Sequence, residues 1–292
     1  IVNKALAFIK EKSSQNVPFF TVIWDGSPHD PFVASEADRA NFKDLDEKSQ
    51  NHYGELVAFD RSLGVLRKTL RELGLEENTI LWFCSDNGGL RDIEPTTVGG
   101  LRGSKGTIWE GGLRVPSILE WPAMIEPKVT NYPASTMDIF PTIAELLDLP
   151  DSDLLQPIDG ISLKPIFSEN LKQRDTYIPF RFKDMGALID NNYKLVATSI
   201  KENKFELYDL KDDPAESQDL TTEKPIVFEQ MKKAYLNLNA SIDSSVAGKD
   251  YPEGKVLKNP KSHFWMKDDR YEPFFEEWLE RPEYRKRILR GR

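Results

Sequence analysis

Helical and strand-like segments alternate along roughly the first half of the chain, and this alternation restricts the fold strongly. Apolar residues recur at helical spacing in residues 1–13, in a long stripe from Leu56 to Leu73, and in Met137–Leu147. Short apolar runs typical of buried strands lie between these helices, at Phe19–Trp24, Thr79–Cys84 and Val115–Trp121. The pattern predicts an α/β fold with a mostly parallel sheet.

The pattern changes near residue 165. Beyond it, strand-like runs follow one another at Tyr177–Phe182, Lys194–Thr198 and Phe205–Leu210. A helix candidate comes next, at about residues 226–238, so this part predicts a smaller α+β subdomain with an antiparallel sheet. We therefore expect an α/β domain at 1–165, the small subdomain at 166–245, and a carboxyl-terminal extension at 246–292.

Charge and hydropathy limit the partners that this chain can have. The 292 residues carry a formal net charge of -9, and a negative field repels nucleic acid and anionic membranes. No apolar run approaches the roughly 20 residues that span a bilayer. Cys84 is the only cysteine, so no intrachain disulfide can form. Neither nucleic acid nor a membrane span is expected, and the oligomeric state stays open.

An Asp-Asn pair follows the predicted strand that ends at Cys84. Ligands collect at the carboxyl ends of strands in open α/β sheets. The side-chain oxygens of Asp86 and Asn87 suit a hard cation such as calcium. The same residues, followed by Gly88 and Gly89, also favour a simple turn. Taken by itself, the segment leaves both interpretations open.

Two further polar segments contain candidate catalytic groups. His29 follows the Phe19–Trp24 run and has a side chain that exchanges protons near neutral pH, although a lone loop histidine is the alternative. Lys105 lies between glycines, where a close backbone and a compact positive charge suit an oxyanion. The alternative there is a flexible surface loop with a solvated lysine. Residues 99–105 lack the Walker spacing, so a nucleotide site is not expected.

In this order along the chain, these segments resemble the sulfatase family of the alkaline-phosphatase-like superfamily. The motifs that carry the resemblance are Pro28-His29-Asp30-Pro31, Ser85-Asp86-Asn87-Gly88, Gly103-Ser104-Lys105-Gly106-Thr107 and Glu110-Gly111-Gly112-Leu113-Arg114-Val115-Pro116. The resemblance continues through residues 138–143, 158–163, 193–196 and 206–216, and covers about residues 1–240. It implies the carboxyl-terminal part of a sulfatase α/β domain, followed by the smaller α+β subdomain.

The resemblance also implies a function and roles for single residues. The chain looks like part of an arylsulfatase-like sulfuric ester hydrolase that acts on a sulfated small molecule or a sulfated glycan. Asp86 and Asn87 would help to bind a calcium ion (Ca2+). His29 would contact the sulfate and protonate the leaving oxygen, and Lys105 would bind sulfate oxygens. Fixed cations aimed at the charge that develops in sulfuryl transfer lower the barrier. Members of this family are typically exported, so the resemblance also implies a periplasmic or secreted protein.

The family's nucleophile has no counterpart in this sequence. Sulfatases carry a Cys or Ser that is converted to formylglycine. This residue is followed by Pro or Ala two places on and by Arg four places on. Cys84 has neither neighbour, so we interpret it as a buried strand residue. The first residues have helical spacing and lack the pattern of a signal peptide. We therefore expect a fragment, with the formylglycine upstream of Ile1, that is inactive and poorly soluble alone because its strands lack neighbours.

Three other interpretations stay open. A phosphodiesterase or phosphonate monoester hydrolase of the same superfamily would use a similar fold with oxygen-ligated metals. A catalytically inactive sulfatase-like binding protein would keep the metal and anion groups without the nucleophile. At the end of the chain, the basic run at residues 285–292 would suit a sulfated polymer, although a solvated terminus is the more common role of such a run.

Overall fold

The structure is a computed structural model that describes residues 1–154, 156–249 and 267–291. Contacts divide the chain into two compact units, each described by itself below. The first unit contains residues 1–76, 93–95 and 257–292, and the second contains residues 77–92 and 96–256. This division does not test the domain boundaries expected near residues 165 and 245, which stay predictions. In the expected extension, residues 250–266 lie outside the described residues.

Helices and strands occur along the whole described chain. The α-helices are α1 (Val2–Ser14), α2 (Glu36–Arg39), α3 (Glu47–Glu72), α4 (Glu110–Leu113), α5 (Ile139–Leu146), α6 (Pro165–Ser168), α7 (Pro225–Val246), α8 (Phe275–Leu279) and α9 (Pro282–Gly291). The strands are β1 (Leu81–Cys84), β2 (Ser117–Glu120), β3 (Ile178–Phe182), β4 (Met185–Asp190), β5 (Tyr193–Ser199) and β6 (Lys204–Asp209). Among the described residues, none of the helices has the length and apolar character needed to cross a bilayer.

The long apolar stripe of the first unit forms α3, as predicted. The Asp46 side chain caps its start by accepting a hydrogen bond from the backbone N–H of Ser49 at 3.1 Å. Gly74 follows its end with a φ of 66°, a left-handed conformation that glycine adopts without a steric penalty. Leu66 and Leu70 are buried on this helix, which packs against α1.

The predicted strand at Phe19–Trp24 is wrong. These residues have no regular secondary structure, and Phe20 and Trp24 are 69% and 84% exposed. A strand exists only where a neighbouring strand accepts its backbone hydrogen bonds, and no described strand pairs with this segment. The apolar run therefore indicated that the segment could form a strand. It did not indicate whether a neighbouring strand is present to pair with it.

The other two predicted strands of the first half are confirmed, but their direction differs from the prediction. β1 and β2 form an antiparallel pair, with Leu81 opposite Glu120 and Cys84 opposite Ser117. The α/β class is confirmed, whereas the mostly parallel sheet is not found among the described residues. Apolar runs locate strands, but they contain no information about the direction of the partner.

The predicted antiparallel sheet of the smaller subdomain is confirmed, with the strand order β3-β4-β5-β6. Strand β4 was missed because only Lys183 and Asp184 join it to β3, and this pair lacks the glycine or asparagine that usually marks a two-residue hairpin. One face of the sheet packs Leu188, Leu195 and Leu207 against helix α7.

The opposite face of this sheet is covered by the glycine-rich segment that precedes β2. Ala187, Val196 and Tyr208 on this face form a buried cluster with Ile108. Lys194 lies two positions before Val196 in β5 and therefore points to the same face. The sheet thus carries α7 on one side and the segment around Lys105 on the other.

A buried ion pair fixes the start of α5. The guanidinium of Arg174 donates two hydrogen bonds to the carboxylate of Asp138, at 2.7 and 2.9 Å. The same carboxylate accepts hydrogen bonds from the backbone N–H groups of Ser135 and Ile161. Because each oxygen of the Asp138 carboxylate accepts two hydrogen bonds, the buried charge is fully compensated. Removal of one member of such a pair costs about 3–5 kcal/mol.

Candidate active site

Backbone hydrogen bonds join the segment after β1 to the glycine-rich segment before β2. The N–H of Ser85 donates to the carbonyl of Pro116 at 3.3 Å, and that of Gly88 donates to Gly112 at 3.0 Å. The N–H of Lys105 donates to the carbonyl of Gly89 at 2.8 Å. The two sequence motifs that predicted a metal site and an anion site therefore lie side by side in the second unit.

Glycines make this close approach possible. A Cβ atom at Gly88 would lie 2.0 Å from the carbonyl oxygen of Gly111, and one at Gly112 would lie 2.4 Å from that of Thr107. Gly103 and Gly106, on either side of Lys105, have φ angles of 77° and 84°, in the region that side chains disfavour. The glycines are therefore required by the geometry of the backbone, which holds Lys105 on a tight turn.

Asp86 and Asn87 present oxygen donors at the end of β1. The amide nitrogen of Asn87 donates to the carbonyl of Gly88 at 3.0 Å, which orients its Oδ1 atom away from that contact. The carboxylate of Asp86 is exposed. Carboxylate and amide oxygens suit calcium, which takes about 6–8 oxygen ligands. Across the described ranges, no group of three or more His, Cys, Asp and Glu side chains is placed to hold a metal ion. This pair fits calcium as part of a larger ligand set.

Lys105 and Arg91 place two cations at the joined motifs. The Lys105 side chain is exposed. Nε of Arg91 donates to the hydroxyl of Ser104 at 2.8 Å. This hydrogen bond holds the Arg91 guanidinium at Ser104, which immediately precedes Lys105. Sequence reasoning missed Arg91. A shallow cavity of about 330 Å³ lies nearby, bordered by Gly89 and Arg114 among others. Two positive charges on the joined segments suit an anionic ligand.

His29 belongs to the first unit, whereas Asp86, Asn87 and Lys105 belong to the second. Its ring is exposed, and Nδ1 lies 2.9 Å from the carbonyl oxygen of Asp30. A protonated Nδ1 would donate to this carbonyl, which leaves Nε2 as the atom for proton transfer. The structure thus assembles three of the four predicted site residues within one unit, and the role of His29 stays a prediction.

Charged residues that sequence reasoning did not single out lie buried beneath the Lys105 turn. Nζ of Lys194 lies 2.8 Å from a carboxylate oxygen of Glu110 and 2.8 Å from one of Glu216. Burial raises the pKa of Glu216, and the nearby Lys194 opposes this shift. The sequence contained only a weak signal: Lys194 begins a predicted apolar strand and has Tyr193 and Leu195 as neighbours, and a lysine that is buried there needs a partner.

The sequence profile of the family described as Sulfatase matches residues 1–149. The chain belongs to the sulfatase family. A second profile, described as N-sulphoglucosamine sulphohydrolase, C-terminal, matches residues 104–241. The resemblance inferred from the motifs is confirmed, and the matched ranges together include both joined motifs and the four-stranded sheet.

Individual sulfatases share much of this chain. A sulfatase from Formosa agariphila is 30% identical over 295 residues, which cover 90% of this chain and 52% of the relative. An N-acetylgalactosamine-6-O-sulfatase from Bacteroides thetaiotaomicron is 26% identical over 258 residues, which cover 80% of this chain and 49% of the relative. The chain therefore spans about half the length of these curated relatives.

A solved structure confirms the fold. The protein Ps i-CgsB, in complex with k-i-k-neocarrahexaose, superposes with a TM-score of 0.71 and 23% sequence identity. The superposition covers 98% of this chain and 60% of Ps i-CgsB. Both the α/β part and the antiparallel sheet of this chain thus follow a fold found in a solved structure.

Proposed function

We propose that this chain is the carboxyl-terminal part of a sulfatase that hydrolyses sulfate esters with the help of a calcium ion. The observation that carries the proposal is the hydrogen bond from the N–H of Lys105 to the carbonyl of Gly89. This bond holds the turn that carries Lys105 against the segment that carries Asp86 and Asn87, which supports a shared site. The sulfatase family match supports the same reaction.

The residues of this chain have distinct proposed roles. Lys105 binds sulfate oxygens and stabilises the charge that develops on them during transfer. His29 protonates the leaving oxygen, because its Nε2 is free of the contact that Nδ1 makes with Asp30. Asp86 and Asn87 hold part of the calcium coordination sphere. The calcium ion, when bound, supplies Lewis-acid stabilisation. The nucleophile is expected to be a formylglycine outside these 292 residues.

A sulfated glycan is the substrate class that we favour over a sulfated small molecule. One relative is named an N-acetylgalactosamine-6-O-sulfatase, which is a sulfatase of a sugar. In this chain, Arg91 adds a second cation beside Lys105, which favours a substrate of high negative charge. A polymeric glycan would be met outside the cytoplasm, consistent with the periplasmic or secreted location expected from the family.

The proposal is tested with the complete protein, produced together with a formylglycine-generating enzyme. Release of sulfate from 4-nitrocatechol sulfate and from 6-O-sulfated N-acetylgalactosamine is measured by ion chromatography, and 4-nitrophenyl phosphate and a phosphonate monoester serve as comparison substrates. We expect kcat/KM to be about 100-fold or more higher for the sulfate esters, which corresponds to about 2.7 kcal/mol in transition-state stabilisation. Preference for the phosphorus esters would instead identify the related hydrolase of the superfamily.

Metal removal separates the enzyme from an inactive binding protein. Treatment with EGTA should abolish hydrolysis, and added calcium should restore it. The Asp86→Ala variant should need more calcium for half-maximal activity, whereas Asp44→Ala, at an exposed acid of the first unit, should need the same amount. A complete protein that binds sulfate with calcium present but hydrolyses none of the esters would be a binding protein.

A further inference from the structure

The strongest unexplained feature of the second unit is a set of three charged residues removed from solvent. Lys194 and Glu216 are 0% exposed, and Glu110 is 5% exposed. Lys194 lies in β5, Glu110 begins α4, and Glu216 follows β6. A buried charge is unfavourable unless it is paired, and here one lysine serves two carboxylates. The proposed reaction uses none of these residues directly.

Glu216 holds both ends of the segment that contains Lys105, here called the lysine loop (residues 102–110). Its side chain accepts a hydrogen bond from the backbone N–H of Glu110 at 2.6 Å. Its backbone carbonyl accepts one from the guanidinium of Arg102 at 2.9 Å. Arg102 also stacks on the ring of Trp109, with Cζ 3.5 Å from the ring centroid. One residue from a distant part of the chain thus closes the loop on both sides of Lys105.

The backbone of Glu216 is itself in an unfavourable conformation. Its φ is 53°, in the left-handed region that residues with a Cβ atom rarely adopt. Glycine would adopt this conformation freely but has no carboxylate, and an asparagine side chain is one methylene shorter. Strained residues persist where the surrounding structure requires them. The requirement here is a carboxylate that reaches Lys194 and the N–H of Glu110 together.

The contacts continue from this cluster to the joined motifs. The carbonyl of Arg102 accepts a hydrogen bond from Gly111 at 2.7 Å, and the carbonyl of Gly112 accepts one from Gly88 at 3.0 Å. The N–H of Lys105 donates to Gly89. A shift of the loop ends would therefore change where the Lys105 ammonium lies relative to Asp86 and Asn87, and small displacements of binding groups have large effects on catalysis.

We propose that Glu216, with Lys194 and Glu110, positions Lys105 for sulfate binding, so that the antiparallel sheet is part of the catalytic apparatus. This inference rests on the proposed function. Glu216 and Lys194 are positioning residues, because they act through the lysine loop and do not touch the substrate. The sheet then determines sulfate affinity through the contacts of its strand β5 and of the segment after β6.

The test uses the complete protein with Glu216→Gln, which keeps the shape but loses the charge opposite Lys194. We expect faster amide hydrogen exchange in residues 102–110, measured by mass spectrometry. We also expect KM and the inhibition constant of inorganic sulfate to rise about tenfold or more. Asp138→Asn is the matched control, because it weakens another buried ion pair of the same unit, with Arg174. The control should lower Tm but leave loop exchange and both constants unchanged.

A second variant keeps the test decisive if Glu216→Gln fails to fold. Arg102 is 42% exposed at its side chain, so Arg102→Met removes one end of the closure with little risk to folding. The same changes, of smaller size, are expected. Unchanged loop exchange in both variants would overturn the inference, as would faster exchange with unchanged KM and sulfate inhibition. An equal rise in the Asp138→Asn control would also overturn it, because general loosening would then explain the effect.

Failure of the proposed function has a separate signature. A complete wild-type protein that neither hydrolyses sulfate esters nor is inhibited or stabilised by sulfate would remove the catalytic role of Lys105. The exchange experiment still decides, without any activity, whether Glu216 closes the lysine loop. Rapid exchange that is confined to Glu216→Gln and Arg102→Met would support the closure, and its absence would refute it.

Discussion

The lysine loop of the second unit and the histidine loop of the first unit (residues 25–31) both carry a predicted catalytic residue, but they are held in different ways. The lysine loop is bonded to the segment after β1 through Gly89 and to Glu216 at both ends. In the histidine loop, the described bonds are local: Ser27 N–H donates to Asp25, and the His29 ring contacts the Asp30 carbonyl.

The glycines of the two loops show the same difference. A Cβ atom at Gly103 in the lysine loop would lie 2.5 Å from the hydroxyl oxygen of Thr107, whereas one at Gly26 in the histidine loop would meet no atom within 4 Å. The chemical types of the motif residues indicate which reaction a loop serves. The packing around its glycines indicates whether the local backbone fixes those residues. The two kinds of information are independent, and only the second required a structure.

The largest effect is expected in the histidine loop. His29→Gln removes the proposed proton donor and should lower kcat about 10²–10⁴-fold. Tm should stay the same, because the ring is exposed and makes a single local contact. Steady-state kinetics and a thermal melt of the complete protein measure both quantities. A large drop in Tm would show that the loop depends on His29 for its structure and would remove the contrast with the lysine loop.

The next effect concerns the cation of the lysine loop. Lys105→Met should lower kcat/KM for a sulfate ester about 10²–10³-fold and leave Tm unchanged, because the side chain is exposed. Lys172→Met is the matched control at another exposed lysine of the second unit, and it should match the wild-type protein. Equal kinetics of Lys105→Met and Lys172→Met would contradict the proposed role of Lys105.

Replacement of one glycine in each loop tests the comparison directly. Gly103→Ala inserts a methyl group 2.5 Å from the hydroxyl oxygen of Thr107, at a φ of 77°, and should lower the free energy of unfolding of the second unit by about 1–3 kcal/mol or more. Gly26→Ala meets open space and should change stability by less than about 0.5 kcal/mol. Urea denaturation followed by tryptophan fluorescence measures both. Similar values for the two variants would show that the lysine loop relaxes more easily than its contacts indicate.

The smallest effect lies in the first unit, away from its histidine loop. The guanidinium of Arg61 and the hydroxyl of Ser35 lower the pKa of Asp38 to about 2. A carboxyl whose pKa is lower in the folded state stabilises the fold above its unfolded pKa of about 3.9, and this contribution disappears as the pH falls to about 2. The Tm difference between wild type and Arg61→Met should therefore be constant above about pH 4 and vanish near pH 2. A difference that grows in acid would contradict this assignment.

The sequence predicted the elements whose signal is local. The apolar spacing of Leu66 and Leu70 was sufficient for α3, and the apolar run before Asp86 was sufficient for β1. The order of the motifs also predicted that Asp86, Asn87 and Lys105 serve one site. That shared role stays a prediction, although the backbone segments that carry these residues are hydrogen-bonded to each other. Each of these predictions depended on residues close together in the sequence or on the order of known motifs.

The remaining features depend on partners that one sequence does not reveal. β2 runs antiparallel to β1, with Leu81 opposite Glu120, and no apolar pattern encodes this direction. Phe19–Trp24 has the composition of a strand without a described partner. The contact between Glu110 and Glu216 joins residues 106 positions apart. Local propensity and periodicity therefore explain the elements, whereas their pairing requires the three-dimensional packing.

The closure of the lysine loop by Glu216 also sets an order of events during synthesis. Ribosomes add about 5–20 residues per second, and 106 positions separate Glu110 from Glu216. The loop can bond to Gly89 early, but it stays open at both ends for roughly 5–20 s at these rates, until the last strand of the sheet and the residues after it emerge. Until then, Glu110 lacks its hydrogen bond to Glu216, so the lysine loop of the nascent chain is closed at both ends only after the carboxyl-terminal sheet has emerged.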